Sequence, residues 1–182
     1  MDHQHATTEW HRLSPADISQ IADIANTIHQ DLPERDAVFL ERIKLYPQGC
    51  LGLFKKPNSG SSISNEQKQL CGYIISHPIR RQRPPALDTL LEDIAKDADQ
   101  YYIHDVAILP EYRGSGLAQQ GIEQVLGTVA TRYETSSLVS VYGTGKFWGK
   151  FGFKVPEDLE VELREKLRGY GDGARYLERK NG

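Results

Sequence analysis

Apolar residues first recur at helical spacing behind a punctuated start, where Ser14-Pro15-Ala16-Asp17 precedes Ile18, Ile21, Ala25 and Ile28. Ser14 suits an N-cap, Pro15 the first turn and Asp17 the positive end of the helix dipole. The pattern predicts a helix through residue 28, and a second over 36–46. The period then changes. CLGLFK at 50–55 and QLCGYIIS at 69–76 are apolar runs of strand length. They are expected to pair antiparallel around the polar loop 57–68, PNSGSSISNEQK. After an irregular stretch at 77–86, Leu87, Leu90, Leu91 and Ile94 share one face and predict a short helix over 87–97. YYIHDVAIL at 101–109 reads as a strand ended by Pro110. A glycine turn follows, then a helix whose apolar face is Ala118, Ile122, Val125, Leu126 and Val129. Residues 136–142 predict a strand, 144–151 a short helix, 152–155 a strand, 158–168 a helix and 173–179 a last strand. Strand, glycine turn, helix and strand make a βαβ unit, right-handed by the usual chirality.

Composition narrows the class. The 182 residues correspond to one domain, and 38% hydrophobic with 26% charged residues suffices for a buried core. No run of 18 apolar residues suggests a membrane span, and MDHQHATTEWHRL has no apolar segment of the kind a secretory leader needs. A net charge of −3 argues against a dedicated nucleic-acid binder. Cys50 and Cys71 fit no metal spacing and read as reduced core thiols of a cytoplasmic protein, with a disulfide open if their strands pair. Arg80, Arg81 and Arg83 read as a solvated cluster.

The candidate chemistry sits at Arg113-Gly114-Ser115-Gly116-Leu117-Ala118. Two glycines remove Cβ atoms where a phosphate would approach the backbone, and the helix behind them offers unpaired N–H groups at its positive end. Two other phosphate motifs are excluded. A dinucleotide fingerprint would need glycine at 119, which is Gln119. A P-loop ending at Gly145-Lys146 would need glycine at 140 and Ser or Thr at 147, which are Ser140 and Phe147.

The run Val106-Ala107-Ile108-Leu109-Pro110-Glu111-Tyr112 into Arg113-Gly114-Ser115-Gly116-Leu117-Ala118 resembles the Q/R-x-x-G-x-G/A motif of the GNAT N-acetyltransferases, which follows a strand ending V-x-P. Phe147-Trp148-Gly149-Lys150-Phe151-Gly152-Phe153 resembles that family's second motif, F-Y-x-x-x-G-F, in the right order and spacing. The resemblance implies an α/β (α+β) fold: a central, mixed, mostly antiparallel sheet of six to seven strands, flanked by helices, with one splayed parallel pair. It implies acetyl-CoA as co-substrate, with Val106, Ala107 and Ile108 lining the pantetheine and residues 113–118 holding the pyrophosphate. A narrower resemblance runs from Leu32-Pro33-Glu34 through Glu41-Arg42 to Tyr46-Pro47-Gln48-Gly49-Cys50. It is to the arylalkylamine branch and its polyamine-acetylating relatives, and implies a small primary amine as acceptor, without nucleic acid or membrane.

Within that reading, His104 is the candidate base. A substrate amine arrives protonated, with a pKa near that of lysine, and a histidine can accept its proton. The branch places a second histidine where this chain has Tyr102. Trp148 stands where the family's proton-donating tyrosine is expected and has no comparably acidic proton. Tyr142, at the end of the second splayed strand, is the candidate replacement. Asp105 alternates to the face opposite His104 unless a bulge turns it. His77 reads as a surface loop residue near the acceptor site, Lys146 and Lys150 as solvated, Glu34 and Glu41 as surface carboxylates, and Phe147 and Trp148 as core. Two further readings compete: a non-catalytic acyl-CoA sensor, suggested by Trp148, and an acetyltransferase for peptide amines.

Overall fold

The structure, a computed structural model, describes residues 7–56 and 68–182. Six strands form one sheet in chain order: Thr8–Arg12 (β1), Cys50–Lys55 (β2), Leu70–Ile79 (β3), Gln100–Ile108 (β4), Thr135–Ser140 (β5) and Arg175–Lys180 (β6). Every neighbouring pair is antiparallel except β4 and β5, which run parallel. This is the expected mixed sheet with one parallel pair. The helices are Ile18–Ile28 (α1), Asp36–Leu45 (α2), Leu117–Thr128 (α3), Gly145–Gly149 (α4) and Val161–Leu167 (α5).

Local chemistry explains the first helix. The Asp17 carboxylate accepts from the Ser14 backbone N–H at 2.8 Å and from its hydroxyl at 2.9 Å, closing the turn that leads into α1. Ile21, Ile24 and Ala25 are buried, and pack with Phe39 and Ile43 of α2 against Tyr73, Ile75 and Ala107 of the sheet. The opposite face carries α3, where Ile122, Val125 and Leu126 meet Ile74, Tyr101, Ile103 and Leu138. Each helix thus contributes one apolar stripe, and the sheet lies between them.

Several expectations need correction. The helix over 87–97 does not form. The Glu41 carboxylate takes the backbone N–H groups of Leu91 and Glu92, at 2.7 and 2.9 Å, and Glu34 takes that of Asp88 at 3.0 Å. Carboxylates from another segment have replaced the bonds of a helical turn, and Asp88 and Glu92 adopt left-handed backbone at φ 55° and 65°. The expected strand at 152–155 is reduced to one bridge between Lys154 and Glu178. β5 ends at Ser140, so Tyr142 lies in the turn beyond it, at φ 54°. β1 was not anticipated. The polar loop expected at 57–68 lies outside the described residues except Lys68. Cys50 and Cys71 are both free and buried. Cys50 belongs to the cluster beneath α1 and α2, and Cys71 to the one beneath Leu117 and Ala118. Pairing of their strands therefore puts the two thiols on opposite faces, which excludes the disulfide left open above. Arg80, Arg81 and Arg83 pair at the surface with Asp97, Glu178 and Glu160.

Candidate active site

β4 and β5 are paired only from Gln100↔Thr135 to Ile103↔Leu138. Beyond that rung β4 runs on to Ile108 with no strand on its β5 side among the described residues, while β5 leads into the turn at Tyr142. The diverging pair opens a cleft of about 730 Å³. One end is lined by Val106, Ala107, Ile108, Arg113, Gly114, Gly116, Leu117 and Ala118, every one a residue singled out by the glycine motif and its strand.

The turn has the form an anion needs. Gly114 and Gly116 take φ of 85° and 78°, which residues with a Cβ adopt only at a cost. Gly116 is the N-cap of α3, and no atom lies within 4 Å of where a Cβ would sit at either glycine. The space above the first turn of α3 is open to a phosphate. Arg113 Nε donates to the Ile108 carbonyl at 2.9 Å, clamping the turn to the end of β4. Ser115 is exposed on the same turn. Lys150 lines the cleft with its side chain exposed, and Lys146 is exposed nearby. Trp148 is buried in the α3-side core, with Phe147 packed edge-on against it.

A β-bulge builds the other end. The β3–β4 register steps from Ile75↔Asp105 to Ser76↔Ile103, so His104 is the extra residue. The bulge breaks strand alternation there and turns His104 and Asp105 to the same face. The expectation that they face opposite ways is corrected. His104 Nε2 is 2.7 Å from Glu34 Oε1, and both side chains are almost fully buried. Asp105 accepts from the Tyr73 hydroxyl at 2.6 Å, and its other oxygen lies 2.8 Å from His29 Nε2. The His29 ring stacks on Tyr142, with centroids 5.9 Å apart and planes within 8°. Ile28, Leu32, Leu87 and Tyr170 complete the walls.

Electrostatics follow from this geometry. Burial raises the Asp105 and Glu34 carboxyls, but His29 with Tyr73, and His104 with the Asp88 N–H, outweigh it and hold both below the usual range. Burial pulls the His29 imidazolium down, and Asp105 and Glu34 overcome it, leaving its pKa above the ordinary 6.5. Tyr142, partly desolvated and facing Asp31 and Asp105, is raised above 10.0. His77, expected on a surface loop, is instead fully buried on β3 beside Tyr102 and His104. Burial, with His104 and Arg42 close by, pushes it well below 6.5, so it is neutral. The unfolded chain therefore binds a proton below pH 6.5 that folded His77 refuses, and stability falls as pH drops below that value. The Glu34 and Asp105 carboxyls, held low, act in the same direction at still lower pH. The contribution of His29 is opposite in sign: it is full below 6.5 and lost as pH rises through its folded pKa. Urea unfolding at pH 7.5 and 5.5 is expected to show lower stability at 5.5, with a shallower drop in His77→Gln.

His29 was not singled out from the sequence, and Glu34 was weighed only as a surface carboxylate. A lone histidine just beyond an amphipathic helix carries no signal of its own. Glu41 does not line the cleft: its carboxylate lies 2.5 Å from fully buried Arg42 and accepts from the backbone N–H groups of Leu91 and Glu92.

A parallel pair that splays above a glycine-lined helix start, with titratable groups beneath, defines a class: acyltransferases that grip a coenzyme A thioester between strands. The Acetyltransferase (GNAT) family model matches residues 18–153, and the chain belongs to that family, whose co-substrate is acetyl-CoA. No curated protein sequence matches the chain. Among solved structures it resembles the loading GNATL domain of CurA from Lyngbya majuscula, at 14% identity and TM-score 0.70, over 96% of this chain and 98% of that one. It resembles Arabidopsis thaliana Naa50 in complex with the bisubstrate analogue CoA-Ac-MVNAL at 13% identity and TM-score 0.63, over 94% and 97%. It also resembles N-acetylglutamate synthase from Neisseria gonorrhoeae, complexed with coenzyme A and N-acetyl-glutamate. There the identity is 16% and the TM-score 0.64, covering 98% of this chain and 36% of that one. At these identities the likeness is one of fold.

Proposed function

We propose that this acetyltransferase acetylates a small primary amine of the arylalkylamine or polyamine class, by direct attack on acetyl-CoA in a ternary complex. The observation that carries this reading is the pair of buried carboxylates, Glu34 and Asp105, set among Ile28, Leu32, Leu87 and Tyr170 at the end of the cleft away from the glycine turn. An ammonium on an apolar body complements such a surface. His104, beside Glu34, is placed to take the proton the amine must lose before its lone pair attacks. The unpaired edge of β4 beyond Ile103 supports the pantetheine arm by strand addition, and the turn from Arg113 to Ala118 the pyrophosphate. Val106, Ala107 and Ile108 aim the thioester at the histidines.

One observation favours a longer acceptor. A shallower groove of about 500 Å³ shares Leu32, Tyr142 and Tyr170 with the cleft and continues outward past Asp31 and Arg168. An extended peptide amine could lie along it. Thiol release measured with tryptamine, phenylethylamine, spermidine and short peptides separates the two. The small-amine reading expects at least one small amine to exceed every peptide in kcat/KM by tenfold or more, on the order of a 1.4 kcal/mol preference. Equal or better turnover of peptides overturns it.

A further inference from the structure

The proton needed by the departing thiolate has no donor at the family's usual place, where Trp148 is buried in the core. Another group occupies the mouth of the splay. His29 is the C-cap of α1, anchored by its backbone N–H to the Ala25 carbonyl at 2.7 Å. Its ring reaches across the gap between the diverging strands. Asp105, two residues past the last paired rung of β4, brings a carboxylate oxygen 2.8 Å from Nε2, and Tyr142, four residues past the last rung of β5, stacks on its face. Asp105 is itself fixed by the Tyr73 hydroxyl. Nε2 faces the Asp105 carboxylate at 2.8 Å as an ion pair, Nδ1 has no acceptor beside it, and both nitrogens are buried without a well-aligned hydrogen bond among the described residues.

We propose that His29, held by Asp105 and covered by Tyr142, is the catalytic residue that returns a proton to the coenzyme thiolate as the acetyl group leaves it. The inference rests on acetyl transfer, not on which amine is used. The amine lone pair forms the C–N bond, and the C–S bond breaks with its electron pair on sulfur. The Nδ1 proton of His29 passes to that sulfur; the proton His104 took from the ammonium before attack is released to solvent, so that His104 can accept the second one, shed by the newly bonded nitrogen. Solvent exchange then restores both histidines. His29 takes the role first considered for Tyr142. A thiol titrates near 8.5, so a phenol raised above 10.0 would give up its proton uphill, whereas an imidazolium does so readily. The charges facing His29 agree. Asp105 from β4 and Glu34 from the α1–α2 connection favour the cation, Arg113 from the glycine turn opposes it, and the α1 C-terminus adds its negative end.

The test does not require the acceptor. Coenzyme A is bound to the full chain and its thiol titrated by thiolate absorbance, with the coenzyme-free spectrum subtracted. Protein thiols interfere little, because burial pushes Cys50 up to about 12 and Cys71 also upward. Beside an imidazolium the bound thiol is expected to ionise about one pH unit lower in the wild type than in His29→Gln, a tenfold change in thiolate at fixed pH. Identical titrations overturn the proposal. A shift in Tyr142→Phe with none in His29→Gln also overturns it and assigns the proton to Tyr142. If His29→Gln fails to bind coenzyme, Asp105→Asn decides by the same titration, with a shift in the same direction expected. With any amine that is turned over, His29→Gln should lose the alkaline limb of the kcat profile; a retained limb counts against His29. A chain that shows the thiol shift but turns over no small amine would refute the acceptor class and leave His29 standing.

Discussion

Replacing Gly116 with glutamate is expected to weaken acetyl-CoA binding at least about 100-fold, about 2.8 kcal/mol at 1.4 kcal/mol per decade. Two effects combine. Gly116 caps α3 in the left-handed region at φ 78° and ψ 7°, where a residue with a Cβ costs roughly 1–2 kcal/mol. The carboxylate would then sit at the open N–H groups of α3, where the pyrophosphate is proposed to bind, replacing attraction with repulsion. The fold should survive. No atom lies within 4 Å of the new Cβ, and strain of this size lowers the melting midpoint by only a few degrees in a chain this long. Gly116→Ala separates the two effects, because it carries the strain without the charge. Calorimetric titration reads affinity, and thermal unfolding reads stability. Glutamate binding coenzyme within threefold of wild type would mean that the pyrophosphate does not rest on this turn.

His104→Gln is expected to lower kcat/KM by about 10²–10³, the range typical of losing a positioned general base. The acidic limb of the kcat/KM profile should disappear with it, because the base no longer has to be unprotonated. Affinity for acetyl-CoA should stay within about twofold, since the thioester arm is expected along the backbone of β4 rather than on the imidazole. Glu34→Gln is the companion. It keeps the bulk and a hydrogen-bonding group near His104 Nε2 but removes the carboxylate, and so should slow turnover less than loss of the ring. A His104→Gln enzyme within threefold of wild type, with its acidic limb intact, would remove His104 from the chemistry.

Much of the architecture was readable one segment at a time. α1 and α3 declared themselves through apolar spacing, and α1 also through a capping pair at Ser14 and Asp17. β2, β3 and β4 declared themselves as apolar runs bounded by polar or proline stops. Misreadings fell where distant groups took over local bonds. The stretch from Leu87 to Ile94 has a helical pattern, yet Glu34 and Glu41 claim its backbone N–H groups. β1 has only five residues and a mostly exposed pattern, so it lacks the apolar signal that marks its partners.

The glycine end of the cleft was likewise legible, because the turn proposed for the pyrophosphate uses consecutive residues: its glycines, its arginine and the helix behind them lie within six positions. The acceptor end was not. His29, Glu34, His104, Asp105 and Tyr142 are spread over more than a hundred residues. They meet because a single extra residue at His104 shifts the β3–β4 register and turns Asp105 toward α1. From sequence alone came the family resemblance, the glycine turn at the head of α3 and the one histidine on the splayed strand. Tertiary structure alone decided which partners those groups found and which buried side chain was denied its charge, because ionisation and aim depend on neighbours that only folding brings within a few ångströms.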